Sequence, residues 1–399
     1  MTHSPSTDIT RHTTPFWVVA IAFLLVMAYS TVPTPLYPLY QRVDRFPVSV
    51  VTIVFAAYAV GVVASLFLLG HVSDWMGRRR MLVIAILVSA LSAVLFTAFT
   101  DVPGLLVARI VNGISIGVLT ATATAHLGEL RARARPDENT IVAASVAGGA
   151  NLGGLALGPL IGGLFADFLP DPLHLPHTVF AVVLILLAIA VALVPETVAP
   201  LPHKYRPQRV SVPAASRGHF IAAAFAAFAG FALFGLFTSL APSILIGIFD
   251  ESGHLMAGVT VFLVFGSAAA AQVLLARVAR RTQLLFAAVA CGIGLLAIAG
   301  GALAPSLALF LLGGIVGGAG VGALFKCALA TASEIAEPER RGETLAAMFL
   351  VAYCGLAIPV LAIGGALTVL PQITVLLVFV VLVGIVTVAA ALRMRRIAR

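Results

Sequence analysis

Apolar runs recur along the whole chain, and each one is long enough to cross a lipid bilayer. Six of them precede a polar stretch and six follow it. In chain order they lie at 16–40, 48–70, 81–100, 104–129, 140–167, 178–194, 219–248, 256–276, 283–303, 306–333, 343–370 and 372–392. Crossing the hydrocarbon core as a helix takes about 20 apolar residues. The pattern therefore predicts an all-α membrane protein with twelve transmembrane helices.

The polar stretch divides the chain into two halves of similar length. It contains Lys204, Arg206, Arg209 and Arg217 together with several prolines, a composition typical of an exposed linker. We therefore predict two six-helix bundles joined by this linker. The predicted organisation is a tail at 1–15, a bundle at 16–195, the linker at 196–218, a second bundle at 219–392 and a tail at 393–399.

Composition and charge narrow the class of protein. Hydrophobic residues make up 61% of the chain and charged residues only 10%, whereas about a quarter of a globular domain is charged. A soluble enzyme is thereby excluded. The net charge of +8 would indicate a nucleic-acid partner in a soluble protein, but here nearly all lysines and arginines fall on the side of the linker. We expect a multi-pass protein of a bacterial inner membrane, with both termini cytoplasmic and no nucleic-acid partner.

No residue pattern indicates a metal or a cofactor. The three cysteines, Cys291, Cys327 and Cys354, lie singly in apolar runs, without the spacing of a metal site or a disulfide framework. The chain also lacks a Walker A sequence, so an ATP-driven pump is excluded. Energy for any transport must come from a gradient.

One sequence recurs at the same place in both halves. The fifth run contains Gly-Leu-Ala-Leu-Gly-Pro-Leu-Ile-Gly-Gly at 154–163, and the eleventh contains Gly-Leu-Ala-Ile-Pro followed by Gly-Gly within 355–365. Such a repeat predicts two pseudo-symmetric six-helix bundles. Parallel repeats of this kind are typical of transporters whose halves rock about a site between them.

The loop after the second run combines a carboxylate, two glycines and a block of arginines. It contains Gly70, Asp74, Gly77, Arg78 and Arg79. At a helix junction these residue types form a charge-assisted cluster around a tight turn. Such a cluster must break when the helix ends separate, which makes it a candidate gating motif.

This loop is similar to the signature loop of the major facilitator superfamily, and the resemblance extends over the whole chain in helix number, linker and repeat. Asp74, Gly77 and Arg78 match the strongest positions of the family motif. Trp75 stands where the family usually has a basic residue, and Val72 where it usually has leucine. The chain most resembles the twelve-helix drug:proton antiporter branch, which implies secondary active transport by a monomer.

The fourth run contains an intramembrane arginine. Arg109 and Asn112 lie in Leu-Val-Ala-Arg-Ile-Val-Asn-Gly, which resembles a second family motif whose arginine is linked to proton coupling; Asn112 replaces the usual glutamine. An arginine in an apolar span is costly and marks a functional site by default. Alternatively, Arg109 snorkels outward or pairs with Asp101.

The fifth run resembles the antiporter motif of drug-exporting branches through Gly154, Gly158, Pro159, Gly162 and Gly163. By analogy this motif indicates efflux. By physics alone, small residues at four-residue spacing allow any two helices to pack closely, and the proline bends the helix.

The resemblance implies that the first, fourth, seventh and tenth spans line the transport path. Phenylalanines at helical spacing in the seventh run could form an aromatic wall, or they face lipid or pack against neighbours. The candidate cavity residues are Tyr29, Tyr37, Asn151, Phe231, Phe234, Phe237 and Tyr353.

Acidic residues are absent from the centres of all runs, whereas Arg109 and Lys326 lie within runs. A cavity with these two bases would repel lipophilic cations, so we expect a neutral or anionic substrate. Lys326 could instead snorkel to the interface or pair with a carboxylate. Candidate proton carriers are His126, Glu129 and Asp101.

Two clusters near the linker side are candidate latches that hold this side shut when the cavity opens outward. In the first half Glu129 would pair with Arg78 and Arg79. In the second half the candidates are Glu334, Arg277, Arg280 and Arg341.

The fourth run also contains a short pattern found in serine hydrolases. Gly113, Ser115 and Gly117 fit the G-x-S-x-G pattern, but they lie within a predicted helix and not on a strand-to-helix turn. We therefore predict a transporter and not an enzyme. The expected function is export of a small neutral or anionic organic molecule by alternating access, in exchange for protons. A proton-linked importer or facilitator of an organic acid or sugar is the alternative, and a transporter-like sensor or scaffold is a more distant one.

Overall fold

The computed structural model describes residues 5–136, 138, 140–198, 205, 207–208, 211–337 and 340–397. Helices account for most of these residues. In order they are α1 (Pro5–Thr31), α2 (Tyr37–Asp44), α3 (Val48–Leu69), α4 (Ser73–Met76), α5 (Arg78–Ala98), α6 (Val102–Ala134), α7 (Ile141–Phe168), α8 (Leu175–Ala192), α9 (Arg217–Phe249), α10 (His254–Leu274), α11 (Arg280–Leu303), α12 (Leu307–Ile335), α13 (Arg341–Ala366) and α14 (Gln372–Ile397). Twelve segments in this part of the chain are long and apolar enough to span a membrane, which confirms the predicted all-α fold.

The first span is broken near its end. Helix α1 begins at Pro5, earlier than the predicted start at Phe16, and ends at Thr31. A single 3-10 turn at Thr34–Leu36 connects it to α2, and the span continues as far as Asp44. The prolines in this region lack the N–H group that an uninterrupted helix needs.

The helices pack as two bundles. In the first bundle α6 contacts α3, α5 and α1, while α8 packs on α5 and α7 on α1. In the second bundle α12 contacts α11, α10 and α9, while α13 and α14 both pack on α9. The bundles meet along two seams, α7 against α10 and α3 against α13. These seams are the places where the two halves can move relative to each other.

The described part of the linker lies on the loop between α3 and α5. Tyr205 stacks on His71 with ring centroids 5.8 Å apart, and the Gln208 amide donates to the carbonyl of Phe67 over 2.9 Å. Of the basic linker residues, Lys204, Arg206 and Arg209 lie outside the described residues. We call this end of the bundle the linker end. The other end, with loops 45–47, 99–101 and 169–174, is the opposite end.

Candidate transport path and gates

The seam between α7 and α10 is closed at the opposite end by direct backbone contact. A Cβ atom on Gly258 of α10 would collide with the carbonyl oxygen of Pro159 of α7. A Cβ on Gly163 would lie 2.6 Å from the carbonyl oxygen of His254, far inside van der Waals contact. Residues larger than glycine would force the two helices apart here. Pro159 and Gly163 therefore lie at the contact between the halves.

The other three glycines of the same motif face a different helix. Cβ atoms on Gly154, Gly158 and Gly162 would collide with three carbonyl oxygens at four-residue spacing in the first span, those of Leu24, Ala28 and Val32. The antiporter-like motif thus holds α7 against α1 within the first half and against α10 across the seam. This placement agrees with the physical interpretation of the motif, which is close helix packing.

A carboxylate crosses the seam beside these glycines. Asp167, at the end of α7, accepts hydrogen bonds from the backbone amide of Leu255 (2.7 Å), the backbone amide of His254 (3.3 Å) and Nδ1 of the His254 ring (2.8 Å). Free amides at a helix N-terminus attract negative charge. Asp167 therefore joins the first half to the start of α10, and we call this contact the Asp167 clasp.

The second seam is also closed at the opposite end. Thr52 of α3 lies against Gly364 of α13, where a Cβ would collide with the threonine hydroxyl. The 3-10 turn at Thr34–Leu36 contacts both α9 and α10. Its three residues are buried. The path between the halves is therefore sealed at this end.

Arg109 lies inside the first bundle near the sealed end, with 1% of its surface exposed. Its Nη1 donates to the carbonyl of Ser30 over 2.7 Å, and its Nη2 donates to the Tyr37 hydroxyl. The guanidinium also lies over the rings of Tyr37 and Phe96, at 5.4 and 5.7 Å from their centroids. Arg109 thus neither snorkels to the surface nor pairs with Asp101, whose carboxylate accepts from the amide of Gly104.

A buried histidine lies beside this arginine, and sequence reasoning missed it. His177, in the first turn of α8, is 0% exposed. Its Nε2 is 2.9 Å from the Tyr40 hydroxyl and its Nδ1 3.3 Å from that of Tyr29, while its ring stacks on Phe96 at 4.8 Å. At the edge of an apolar run it resembled an interfacial residue, because its tyrosine partners are distant in sequence.

Asn112 is buried one turn further along α6. Its exposed fraction is 1%, and neither polar atom of its side chain has a hydrogen-bond partner among the described residues. Asn112 is therefore not part of the Arg109 hydrogen-bond cluster.

At the linker end Arg78 is the centre of the predicted gating cluster. Its guanidinium pairs with Asp74, contacts Glu129 at 3.2 Å and donates to the Ser73 hydroxyl over 2.7 Å. Gly77 makes this geometry possible because its φ of 104° is a conformation that side chains disfavour. Gly70 ends α3 on the other side of the loop, next to the Gln208 side chain of the linker.

Glu196, which sequence reasoning did not single out, completes this cluster. Its carboxylate accepts from the backbone amides of Arg78 (2.8 Å), Arg79 (3.1 Å) and Thr197 (2.9 Å). A Cβ on Gly77 would lie 2.5 Å from Oε2 of Glu196. The carboxylate thus caps the start of α5, where negative charge is favourable. The only indication of this role in the sequence is the position of an acidic residue between the sixth apolar run and the linker.

A hydrogen-bonded chain leads from this cluster into the bundle. His126, which is 0% exposed, contacts the Thr197 hydroxyl through Nδ1 at 2.8 Å. That hydroxyl donates to Glu129, whose other oxygen contacts Arg78. The predicted proton-carrier candidates His126 and Glu129 are therefore connected to the gating cluster.

The second half has a simpler cluster. Arg280 forms a fork-like ion pair with Glu334, and Arg341 donates to the Ser333 hydroxyl. Arg277 makes no ion pair with a described residue. Every ion pair at the linker end within the described ranges joins residues of the same half. The clusters brace each bundle separately and do not hold the halves together in this state.

A further pair braces the loop after α6. Arg131 binds Glu138 through Nη2 at 2.9 Å and through Nε. The Arg131 guanidinium holds the pKa of the Glu138 carboxyl below its usual range, because it stabilises the ionised form. Glu138 therefore stays ionised near neutral pH and does not act as a proton carrier there.

Lys326 pairs with no carboxylate in the part of the chain that the structure describes. Its ammonium group donates to the carbonyl of Gln272 over 2.8 Å, in the last turn of α10. A positive charge at the end of a helix complements the free carbonyl groups there. This contact stabilises the end of α10 and uses no carboxylate.

The aromatic residues of α9 divide into two groups. Phe234 and Phe237 are 2% and 0% exposed, and they pack on Phe265 and Phe310, so in this state they belong to the core and not to an open wall. Phe231 is only partly buried. Tyr29 and Tyr37 are likewise buried, whereas Asn151 and Tyr353 are partly buried, and the Tyr353 ring lies near that of Tyr58 in the first half.

Two helical bundles that meet at two seams, with a buried arginine and charge clusters at the helix ends, define a membrane transporter with a path between its halves. Comparison with known families agrees. A model described as Major Facilitator Superfamily matches residues 18–306, which is more than half of the chain. The chain belongs to this superfamily.

Curated relatives match only part of the chain. A triacylglyceride transporter of Mycolicibacterium hassiacum is 30% identical over 162 residues, which cover 41% of this chain and 29% of that protein. An arabinose-proton symporter of Bacillus subtilis is 32% identical over 77 residues, 19% of this chain and 17% of that protein. The aligned segments thus span less than a third of either relative.

Solved structures match over nearly the full length at low identity. A nucleoside transporter has a TM-score of 0.71 at 12% identity, covering 96% of this chain and 100% of its own. A bacterial homologue of the human lysosomal transporter Spinster, in an inward-facing and unoccupied conformation, has a TM-score of 0.68 at 15% identity, covering 98% and 97%. A human organic anion transporter has a TM-score of 0.67 at 17% identity, covering 98% and 100%. These similarities concern the fold alone.

Proposed function

We propose that this protein exports a small neutral or anionic organic molecule by alternating access, in exchange for protons. The observation that carries the proposal is the position of the antiporter-like motif. Pro159 and Gly163 contact α10 across the seam, and Gly154 and Gly158 contact α1. Outward opening must separate α7 from α10, whereas the contact with α1 keeps α7 in its own half. The motif residues thus lie where a change of state takes place.

The direction of opening follows from charge placement. Arginines are concentrated at the linker end, at the starts of α5, α11 and α13 and at the end of α6. Positive charge near span ends favours the cytoplasmic side. We therefore place the linker end in the cytoplasm of a bacterial-type cell and the sealed end outside, so that the substrate enters from the cytoplasm.

The charges of the buried residues favour a substrate that is not a cation. Among the described residues, the buried polar set includes Arg109 and two histidines and no carboxylate. A lipophilic cation would meet no compensating charge on such a path, and a charge inside a low-dielectric region is costly without one. Neutral and anionic molecules avoid this cost.

Proton exchange is supported by the two buried histidines. His126 is linked to the gating cluster at the linker end through Thr197 and Glu129. His177 is hydrogen-bonded to Tyr29 and Tyr40 next to Arg109, at the sealed end. Histidine is the side chain that titrates closest to neutral pH. Each end of the first bundle therefore contains one buried imidazole group whose access to protons depends on a change of state.

A proton-linked importer of a sugar or organic acid is the second candidate. It is favoured by the local similarity to an arabinose-proton symporter. The two functions differ in the direction of coupled movement and not in the fold. Only a measurement with an imposed gradient separates them.

The test begins with a thermal-unfolding screen of the purified protein against neutral, anionic and cationic organic compounds, since a ligand that binds the folded state raises its stability. The stabilising compound is then loaded into proteoliposomes. Export in exchange for protons predicts that a pH gradient drives the compound against its own gradient, opposite to proton flow. Movement in the same direction as protons would establish the importer. Stabilisation chiefly by cations would refute the proposal that the substrate is neutral or anionic.

The gating cluster gives a second test. Replacing Asp74 with Asn should slow transport without preventing insertion, because Arg78 loses a charged partner in the proposed gating cluster, which orders the loop between α3 and α5. Unchanged transport by this variant would contradict a gating role. Asp44, an acid at the opposite end that accepts from the amide of Val102, is the matched control.

A further inference from the structure

We infer that the space between the halves contains an aromatic binding site for a planar, electrically neutral aromatic molecule with a hydrogen-bonding substituent. The site consists of Phe231 of α9, Phe325 of α12, Phe349 and Tyr353 of α13, and Asn151 of α7. The inference rests on the proposed transport function and names the class of substrate. All five side chains are only partly buried, although their helices lie within the bundle.

The helix phase of α9 directs Phe231 towards the space between the halves. Phe234 stacks on Phe265 of α10 at 4.3 Å, and Gly235 packs on Leu356 of α13. Successive residues of a helix are about 100° apart. Phe231 therefore points between these two directions, into the gap between α10 and α13. That gap faces the first bundle, because α10 and α13 are the helices that form the seams.

The neighbouring rings extend this surface. Phe325 lies 4.8 Å from Phe231, and Phe349 lies 6.1 Å from Phe325, measured between ring centroids. Tyr353, one turn from Phe349 along α13, lies 5.7 Å from Phe231. Aromatic rings at 4.5–7 Å form favourable edge and tilted contacts. Four rings from three helices thus form one continuous wall.

Contact with the first half shows that this wall does not face lipid. The Tyr353 ring lies 6.3 Å from the ring of Tyr58 in α3, across the second seam. On α13, Gly355 packs on Phe228 of α9 and Gly364 packs on α3. At about 100° per residue, Tyr353 lies about 20° and Phe349 about 60° from the direction of Gly364, which is the side of α13 that packs on α3. The wall is therefore directed at the other bundle.

Asn151 supplies a polar group from the first half. On α7, Gly148 faces Gln272 of α10 and Gly154 faces α1, and Asn151 lies between these two directions. Its amide makes no hydrogen bond to another described residue. Asn151 lies eight positions along α7 from Pro159, which is roughly 12 Å at 1.5 Å per residue. On α10, Phe265 lies seven positions from Gly258, the residue that contacts Pro159, and is therefore at a similar depth. This is the level of Phe234, which stacks on Phe265 and lies one turn along α9 from Phe231 of the aromatic wall.

The chemistry of these groups selects the ligand. Aromatic faces stack well on planar conjugated rings, and each such contact contributes beyond simple burial of area. A partly buried amide offers both a donor and an acceptor to a ligand substituent. The negative face of an aromatic ring does not favour an anion. It attracts a cation, but this gain is smaller than the cost of burying a charge that no carboxylate in the described part of the wall balances. A neutral planar molecule with one amide-like group satisfies all of these conditions.

The test is equilibrium binding to the full-length protein in detergent, using four matched probes. 2-Naphthamide is neutral and planar, decahydronaphthalene-2-carboxamide is its saturated counterpart, 2-naphthoate is the anion, and 2-naphthylmethylammonium is the cation. We expect 2-naphthamide to bind most tightly and its saturated counterpart about tenfold more weakly, the effect of one or two lost ring contacts. Equal affinity of these two probes, tighter binding of the cation, or no binding of any probe would overturn the inference.

Variants assign the binding to the wall. Phe325→Leu should weaken 2-naphthamide several-fold while Phe249→Leu, which alters a partly buried ring at the opposite end, leaves its affinity unchanged. Phe349→Leu replaces the first variant if Phe325→Leu fails to fold. Asn151→Ala should weaken 2-naphthamide and not 2-methylnaphthalene, which has no amide. Unchanged affinity in folded variants at positions 325 and 349 would refute the site.

These experiments distinguish a failure of the proposed aromatic site from a failure of the proposed transport function. A protein that binds 2-naphthamide through these residues but moves no solute in proteoliposomes would retain the aromatic site and lose the proposed function. A protein that transports organic solutes without preferring the aromatic probe would retain the function and lose the site.

Discussion

The Asp167 clasp leads to a prediction about how often the sealed end opens. One carboxylate of the first half accepts three hydrogen bonds from the start of α10 in the second half. These bonds exist only while the halves are together at this end. Asp167→Asn keeps the size of the side chain, removes its charge and replaces one acceptor oxygen with a donor. The donor would then face an N–H group.

The magnitude follows from the bonds that are weakened. Hydrogen bonds to charged groups contribute about 1.5–3 kcal/mol each and neutral ones about 0.5–1.5 kcal/mol. The side chains of Asp167 and His254 are 26% and 14% exposed, so water screens part of this difference. We therefore expect a loss of about 1–2 kcal/mol from the sealed state. This corresponds to roughly a tenfold rise in the equilibrium constant for opening.

The assay measures access to a buried position at the sealed end. Thr34, which is 0% exposed between α9 and α10, is replaced with Cys in a background without Cys291, Cys327 and Cys354. A membrane-impermeant maleimide is applied to proteoliposomes, and the labelling rate is followed. Asp167→Asn should raise this rate about tenfold, since labelling requires opening.

Asp171→Asn is the matched control. Asp171 lies at the same end and pairs with His174 of its own half, so its loss should leave the labelling rate unchanged. Equal rates with and without Asp167→Asn would refute the reasoning, and so would an equal increase in the Asp171 variant.

Three further predictions concern the clusters at the two ends. Gly77→Ala should lower the unfolding temperature by several degrees, because a positive φ costs about 1–3 kcal/mol and the new methyl group would collide with the Glu196 carboxylate. Gly128→Ala is the control and should not lower this temperature, because a Cβ at position 128 has no neighbour within 4 Å. Glu196→Gln should destabilise the protein by about 1 kcal/mol through weaker capping of α5, and an unchanged thermal-unfolding midpoint would contradict this. Arg109→Lys should abolish most transport in proteoliposomes, since an ammonium group lacks the planar fork that reaches both the Ser30 carbonyl and Tyr37; full activity would show that charge alone suffices.

The chain's apolar pattern predicted the number of spans because a bilayer leaves little choice. Backbone groups in hydrocarbon must be hydrogen-bonded within the segment, so a run of sufficient length becomes a helix. Exact ends were harder to place. The first span extends from Thr14, within a helix that begins at Pro5, to Asp44, because prolines interrupt the helix without ending the crossing.

Local chemistry also predicted that the loop after α3 forms a charge cluster. Gly77 and Arg78 lie within four positions of Asp74 in the chain, so a tight turn alone brings them together. Glu196 was not predicted as part of this cluster because its contacts with α5 span more than a hundred positions. The same holds for His177, whose tyrosine partners come from the first span.

The phase of each helix decided which aromatic residues face the space between the halves. The sequence presented Phe231, Phe234 and Phe237 as one stripe, and a stripe on a helix can face lipid, a neighbouring helix or a cavity. Packing of α9 against α10 and α12 buried the last two and left the first beside Phe325 and Tyr353. The amino-acid sequence thus determined a twelve-helix membrane protein with a charged loop, because those features depend on local segments and on the bilayer. The contacts at the seams and the aromatic cluster proposed as a binding site required the tertiary structure, because they are built from residues of helices that are distant in the chain.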